Sequence, residues 1–115
     1  MAFIGMDVFK QIIDREAPAD IVYEDDQYIV IKDINPKAKV HLLVIPKEDN
    51  MMTAKDIDLS RLEIYGGLFW AAKQAAELEG IGEGYKLHMN VGEAGGQIVP
   101  RVHLHLLSSD YAGGV

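Results

Sequence analysis

The segment Arg101-Val102-His103-Leu104-His105-Leu106-Leu107 alternates apolar and polar side chains without interruption. In a strand, alternation sends Val102, Leu104 and Leu106 to one face and Arg101, His103 and His105 to the other, about 7 Å apart along the row. Three chemistries fit such a row. It can be the polar side of a solvent-facing strand. It can be a metal-binding pair of imidazoles, which needs a further ligand and sits badly beside a cationic arginine. Or it can act on a phosphate, with a neutral imidazole as nucleophile or base and cationic neighbours for the anion. The third uses all three side chains, and it is the working expectation. No metal and no cofactor are expected.

The residues upstream support an anion site. Gly92, Gly95 and Gly96 lie in the loop before this strand, where absent side chains let backbone amides approach a ligand, and Gln97 follows as a side-chain donor. Asn90 lies on the same alternating set as Lys86 and His88 and can donate from its amide.

These residues need elements to hold them. Asp7 is a plausible N-cap for a short helix with Val8, Phe9, Ile12 and Ile13 on its apolar face, ending before Pro18. Ile21 to Tyr23 and Tyr28 to Ile31 are β-branched and aromatic, with Glu24-Asp25-Asp26-Gln27 as the hairpin turn. Asp33-Ile34-Asn35-Pro36 breaks regular structure, and Val40 to Ile45 is a third strand closed by Pro46. Ser60-Arg61-Leu62-Glu63 matches a capping box, and Ile64, Leu68, Ala71, Ala72, Ala75 and Leu78 keep the helical period up to Gly80. Gly66 and Gly67 inside that helix call for close packing by a neighbouring element or by a second copy. Tyr85 to Val91 and Arg101 to Leu107 are the fourth and fifth strands. The order α, β, β, β, α, β, β with short connections predicts an antiparallel α+β domain over residues 1–115, its first six residues loosely attached.

Taken together, the motifs resemble the histidine triad superfamily. Arg101 to Leu107 is similar to its His-φ-His-φ-His-φ-φ signature (φ, apolar), with Arg101 where the first histidine usually stands. Asp33-Ile34-Asn35-Pro36, His41-Leu42-Leu43-Val44-Ile45-Pro46-Lys47, Asn90 and Gly95-Gly96-Gln97 resemble the Hint branch in order and spacing, and the likeness runs from about Val8 to Leu107. The resemblance implies a homodimer with a five-stranded antiparallel sheet per subunit and two helices. It also implies a metal-independent hydrolase acting on a nucleoside 5'-phosphoramidate or an aminoacyl-adenylate. By position, His103 is the nucleophile that forms a nucleotidyl-histidine intermediate. His105 bonds a phosphate oxygen, and His41 supports the site from the third strand, although its alternation with Leu43 and Ile45 fits a core histidine equally well. Asp33 would hold the ribose hydroxyls. Phe9, Ile31 and Ile34 would line the base pocket, and Asn90, Gly96, Gln97 and Val99 complete the expected nucleotide-binding set for AMP, GMP or a derivative.

The departures matter for turnover. At position 101 an arginine is expected near the phosphate, while the carbonyl that orients the nucleophile can come from any residue there. Ile98 stands where the family usually has a serine that protonates the leaving nitrogen, and isoleucine has no donor. Pro100 removes an amide and restricts Val99. After Leu107 only residues 108–115 remain, a short tail. Ser108-Ser109 there disfavours the dinucleoside polyphosphate hydrolase branch, whose motif commonly continues with Pro-Arg. Two alternatives therefore stay open: a nucleotide-binding protein with little or no catalysis, and a dinucleoside polyphosphate hydrolase.

Composition narrows the partners. The 115 residues fit one domain. With 18 acidic against 11 basic residues, a net charge of -7, nucleic acid is an unexpected partner. No cysteine is present, which suits a reducing cytoplasmic compartment, and no apolar run approaches the roughly 18 residues of a membrane span.

Overall fold

The protein is described from a computed structural model covering residues 6–113. The expectation of a loosely attached start therefore lies outside the described residues, apart from Met6, which is exposed. Helix α1 spans Val8–Ile13, and Asp7 caps it by accepting from the Lys10 amide at 3.0 Å. Strands β1 (Ile21–Glu24) and β2 (Tyr28–Lys32) form the expected hairpin. Its turn is fixed by Asp25 Oδ1, which accepts from the amides of Gln27 and Tyr28. Strand β3 is His41–Pro46, helix α2 is Leu62–Leu78, β4 is Lys86–His88 and β5 is Leu104–Leu107. The sheet is antiparallel throughout, in the order β1-β2-β3-β5-β4. The chain is thus an α+β protein with a five-stranded antiparallel sheet and two helices. None of its helices, among the described residues, is long and apolar enough to cross a membrane.

Alternation along the strands divides the core in two. Tyr28, Val30, Leu42, Val44, Leu104 and Leu106 face α2 and pack on Leu68, Ala71, Ala72, Ala75 and Ala76. Ile29, Ile31, Leu43 and Ile45 face the other way and pack on Phe9 of α1. Fully burying one such aliphatic side chain stabilises the fold by about 1.5–3 kcal/mol. Gly67 is required by packing within the chain, because a Cβ there would fall on the hydroxyl of Tyr28, which donates to the Ile64 carbonyl at 2.8 Å. Gly66 faces open space.

Three expectations need correction. Helix α2 is not started by a Ser60–Glu63 capping box. A 3-10 turn over Leu59–Arg61 precedes it, and Asp58 caps that turn by accepting from the Ser60 amide at 2.9 Å. The fourth strand stops at His88, so Asn90 belongs to the following loop. The fifth begins at Leu104 rather than Arg101, because the Val102 amide leaves the ladder and donates to the Met51 carbonyl at 2.8 Å.

Candidate active site

The face of the sheet that carries α1 also carries the histidines. His105 on β5 stands in register with Leu43 of β3 and His88 of β4, and His41 opens β3 opposite Leu107. His103, just before β5, reaches the same side and meets Phe9 edge-on, with ring centroids 5.0 Å apart. A cleft of about 390 Å³ opens over this row. Phe9, Ile31, Asp33, Ile34, Asn90, Gly96, Gln97, Val99, His103 and His105 all line it. Segments far apart in the chain thus contribute to one cavity, with an apolar end at Phe9, Ile31 and Leu43 and a polar end at the histidines.

Hydrogen bonds set the tautomers. His103 Nδ1–H donates to the carbonyl of Arg101 at 2.7 Å, so the lone pair of its Nε2 is the free one. His41 Nδ1 accepts from the Lys37 amide at 3.0 Å, which puts its proton on Nε2, and that proton faces His105 Nδ1 at 2.9 Å and Asp33 Oδ2 at 3.3 Å. His105 therefore accepts on Nδ1 and carries its own proton on Nε2. Two neighbouring imidazoles with centroids 5.2 Å apart are left with opposite tautomers, one nucleophilic and one hydrogen-bond donating.

Electrostatics keep these rings neutral. Burial lowers the pKa of His103 and of His41, the latter partly offset by Asp33. Burial, reinforced by His103 and His41, brings His105 down to about 4. At neutral pH the His103 lone pair is thus not masked by a proton.

The loop differs from a simple amide cradle. The amides of Gly92, Gly95, Gly96 and Gln97 all donate within the protein, to Thr53 Oγ1 and Gln97 Oε1, to Gly92 O, to Glu93 O and to Gly92 O respectively. Gly92 and Gly96 take positive φ, 73° and 91°, to make this turn. Gln97 does not serve as a free donor: its side-chain nitrogen is held by the carbonyls of Met52 and Val99, at 2.6 and 2.9 Å. The amides of Ile98 and Val99 donate to none of the described residues, and both residues line the cleft. Asn90 Nδ2 gives one proton to the Gly95 carbonyl at 2.8 Å and keeps a second. Asp33 Oδ1 accepts from the Asn35 amide at 2.8 Å, leaving acceptor capacity toward the cleft.

A family model described as scavenger mRNA decapping enzyme C-term binding matches residues 6–115. A purine nucleoside phosphoramidase of Escherichia coli K12 is 43% identical over 103 residues, 87% of this chain and 84% of that protein. An adenylylsulfatase of Arabidopsis thaliana is 37% identical over 101 residues, 87% of this chain and 69% of that protein. The solved structure of a HIT family hydrolase from Clostridium thermocellum is 47% identical, the match covers 94% of each chain, and the two superpose with a TM-score of 0.87. The chain belongs to this family, that of the histidine triad proteins.

Within this histidine triad chain, the arginine of the motif is not where alternation puts it. Arg101 is 4% exposed and lies outside the cleft. Its Nε donates to Asp7 Oδ2 at 2.8 Å, its Nη1 to the carbonyls of Pro46 and Glu48 at 3.0 and 2.7 Å, and its Nη2 to Asp49 Oδ1 at 2.6 Å. The expected place beside a phosphate is thus corrected. Ahead of the ladder alternation is no longer imposed: His103 still keeps to the row, whereas Arg101 is drawn away by Asp7 and Asp49. The cleft also includes Val8, Ile12, Lys32, Asn35 and Leu43, which were not expected there. Leu43 was open to detection, since it shares alternation with His41. His88 was not singled out either; its ring centroid lies 6.1 Å from that of His105. Among the described residues, Asp33, His41 and His105 are the set able to hold a metal ion, with ligand atoms within 4.8 Å of one another. Within this set His41 Nε2 already bonds His105 Nδ1 and Asp33 Oδ2.

Proposed function

We propose that the protein is a nucleotide hydrolase that cleaves the bond between the α-phosphate of a nucleoside 5'-monophosphate and its leaving group, with a purine phosphoramidate or adenylate as substrate. The observation that carries this is the pairing of opposite tautomers: a free lone pair on His103 Nε2 beside a proton on His105 Nε2, both at the polar end of an apolar cleft. The Escherichia coli and Arabidopsis thaliana relatives, a purine nucleoside phosphoramidase and an adenylylsulfatase, support it.

In this reading the base sits between Phe9, Ile31 and Ile34, and Asp33 accepts from the ribose hydroxyls. The amides of Ile98 and Val99, the second proton of Asn90 Nδ2 and His105 Nε2–H surround the phosphate oxygens. His103 Nε2 attacks phosphorus. The bond to the leaving group breaks and its electron pair departs with that group, an amine taking up a proton from solvent and a carboxylate or sulfate leaving as the anion. A nucleotidyl-imidazole cation forms, with its remaining N–H on the Arg101 carbonyl. Water then attacks phosphorus, the phosphorus–nitrogen bond breaks, and its electron pair returns to Nε2 with release of the nucleotide and a proton. No metal takes part. His41 acts on His105 by fixing its tautomer.

The test compares the protein with His103→Ala on an adenosine 5'-phosphoramidate in EDTA, following AMP release. Loss of turnover in the variant with retained AMP binding is expected; equal rates would refute the nucleophile. A second reading, a binder without turnover, is favoured by Ile98, which is 81% exposed at the cleft and offers no side-chain proton. AMP binding with no AMP release would establish it. The proposal includes a cytoplasmic location and a homodimer; the dimer is supported by exposed Leu62, Phe69 and Trp70 at helical spacing on α2, and light scattering checks the mass.

A further inference from the structure

We infer that Arg101 is a positioning residue that fixes both the nucleophile and the α1 wall of the cleft, without touching substrate. The inference rests on the proposed function for its meaning in catalysis, but its geometry stands apart from it.

Three chain segments meet on one buried guanidinium: the cap of α1 at Asp7, residues 46–49 from the end of β3 onward, and the approach to β5. Helix α1 has six residues, too few to be stable alone, so its place over the sheet comes from its anchors. Asp7 divides its carboxylate between two tasks. One oxygen caps the helix at the Lys10 amide and the other binds Arg101. The helix in turn delivers Phe9 to the edge of the His103 ring and Val8 and Ile12 to the cleft wall.

The backbone of the same residue does the second job. His103 Nδ1–H is held by the Arg101 carbonyl, which lies on an irregular stretch outside the β ladder. Ladder hydrogen bonds therefore do not fix that carbonyl. The anchored side chain and the Val102 amide on the Met51 carbonyl do. One residue thus sets the tautomer of the nucleophile and the position of the wall it packs against.

The test uses the full-length protein with three variants. Asp7→Asn keeps an oxygen to cap α1 but loses the carboxylate for Arg101. Arg101→Met removes all four side-chain bonds. Tyr28→Phe loses one hydrogen bond on the opposite face of the sheet and serves as a stability control. AMP affinity by calorimetry, amide exchange over residues 9–13, and the ring-nitrogen NMR shifts of His103 are measured beside Tm. Asp7→Asn is expected to weaken AMP about tenfold and speed exchange in α1, because a wall that is only partly in place lowers apparent affinity by its population. Arg101→Met is expected to do the same and to mix the His103 tautomers. Tyr28→Phe lowers Tm and leaves AMP affinity and the His103 spectrum as they were.

If Asp7→Asn and Arg101→Met lower Tm while AMP affinity stays within about twofold and the His103 spectrum is unmoved, Arg101 only holds the fold and the inference is overturned. Should Arg101→Met fail to fold, Asp7→Asn decides through α1 exchange and affinity. If the unsubstituted protein binds no AMP, the proposed function fails instead, and the exchange and ring spectra alone judge the positioning role.

Discussion

Lowering the pH from 7 to 5 should destabilise this protein through its buried histidines, and His105 gives the magnitude. Its pKa in the folded protein is about 4 against an ordinary 6.5, with burial as the leading cause, followed by His103 and His41. The folded value is depressed, so the unfolded chain takes up the proton first. Stability from this ring is full above pH 6.5, falls as pH drops, and is lost by about pH 4. Each tenfold difference in proton affinity is worth about 1.4 kcal/mol, which sets a ceiling of about 3 kcal/mol. The ring is half-buried, so solvent screening reduces this to about 2 kcal/mol, roughly half of it lost by pH 5. His103 and His41 shift in the same direction and add to the loss. Asp49, held low by Arg101, and Glu24, held low by Arg15, lose their contributions at lower pH than this window. Urea denaturation at pH 7, 6 and 5 on the protein and on His105→Gln reads the effect. The variant should start lower and fall less, by about 1 kcal/mol between pH 7 and 5. Parallel curves would refute burial of a neutral His105 as the source.

Three further outcomes follow from the geometry. Gly67→Ala should cost about 2 kcal/mol or more, because its methyl would displace the Tyr28 hydroxyl from the Ile64 carbonyl, whereas exposed Gly66→Ala should stabilise by up to about 1 kcal/mol; chemical denaturation measures both. Asp58→Ala should lower stability by about 1 kcal/mol and Ser60→Ala by less than half of that, the reverse of what a Ser60 capping box requires. Ile98→Ser should raise turnover of an adenosine phosphoramidate about tenfold relative to adenylyl sulfate, since an amine needs a proton to leave and sulfate does not. Equal changes on the two substrates would exclude proton donation at position 98.

Much of this architecture was legible in local sequence. β-branched runs located three strands to within a residue, and the 3.6-residue period located α2 together with Gly80 beyond its end. The motif positions that line the cleft were legible through the family resemblance. What escaped was decided by contacts between distant segments. The insertion of β5 between β3 and β4 has no local signature. Asp58 took the cap because a 3-10 turn shifted the helix start past Ser60. Arg101 left the histidine row because its partners, Asp7 and Asp49, lie 94 and 52 residues away in the chain. The loop glycines were read as a cradle of backbone amides, but their amides are spent on Thr53, Gln97 and the loop itself, and no spacing rule gives that.

The contact between His103 and the Arg101 carbonyl has a consequence for how the motif itself is understood. A main-chain oxygen is the same in every amino acid, so the orientation of the His103 ring is indifferent to the letter written at position 101 as long as the backbone follows the same path. That position is released from chemistry and free to be used for construction, as an arginine does here by bolting a helix to a sheet. Counting histidines in the signature is then a poor measure of competence. The better measure is whether the chain still delivers an oxygen to one side of the second ring and an open cleft to the other.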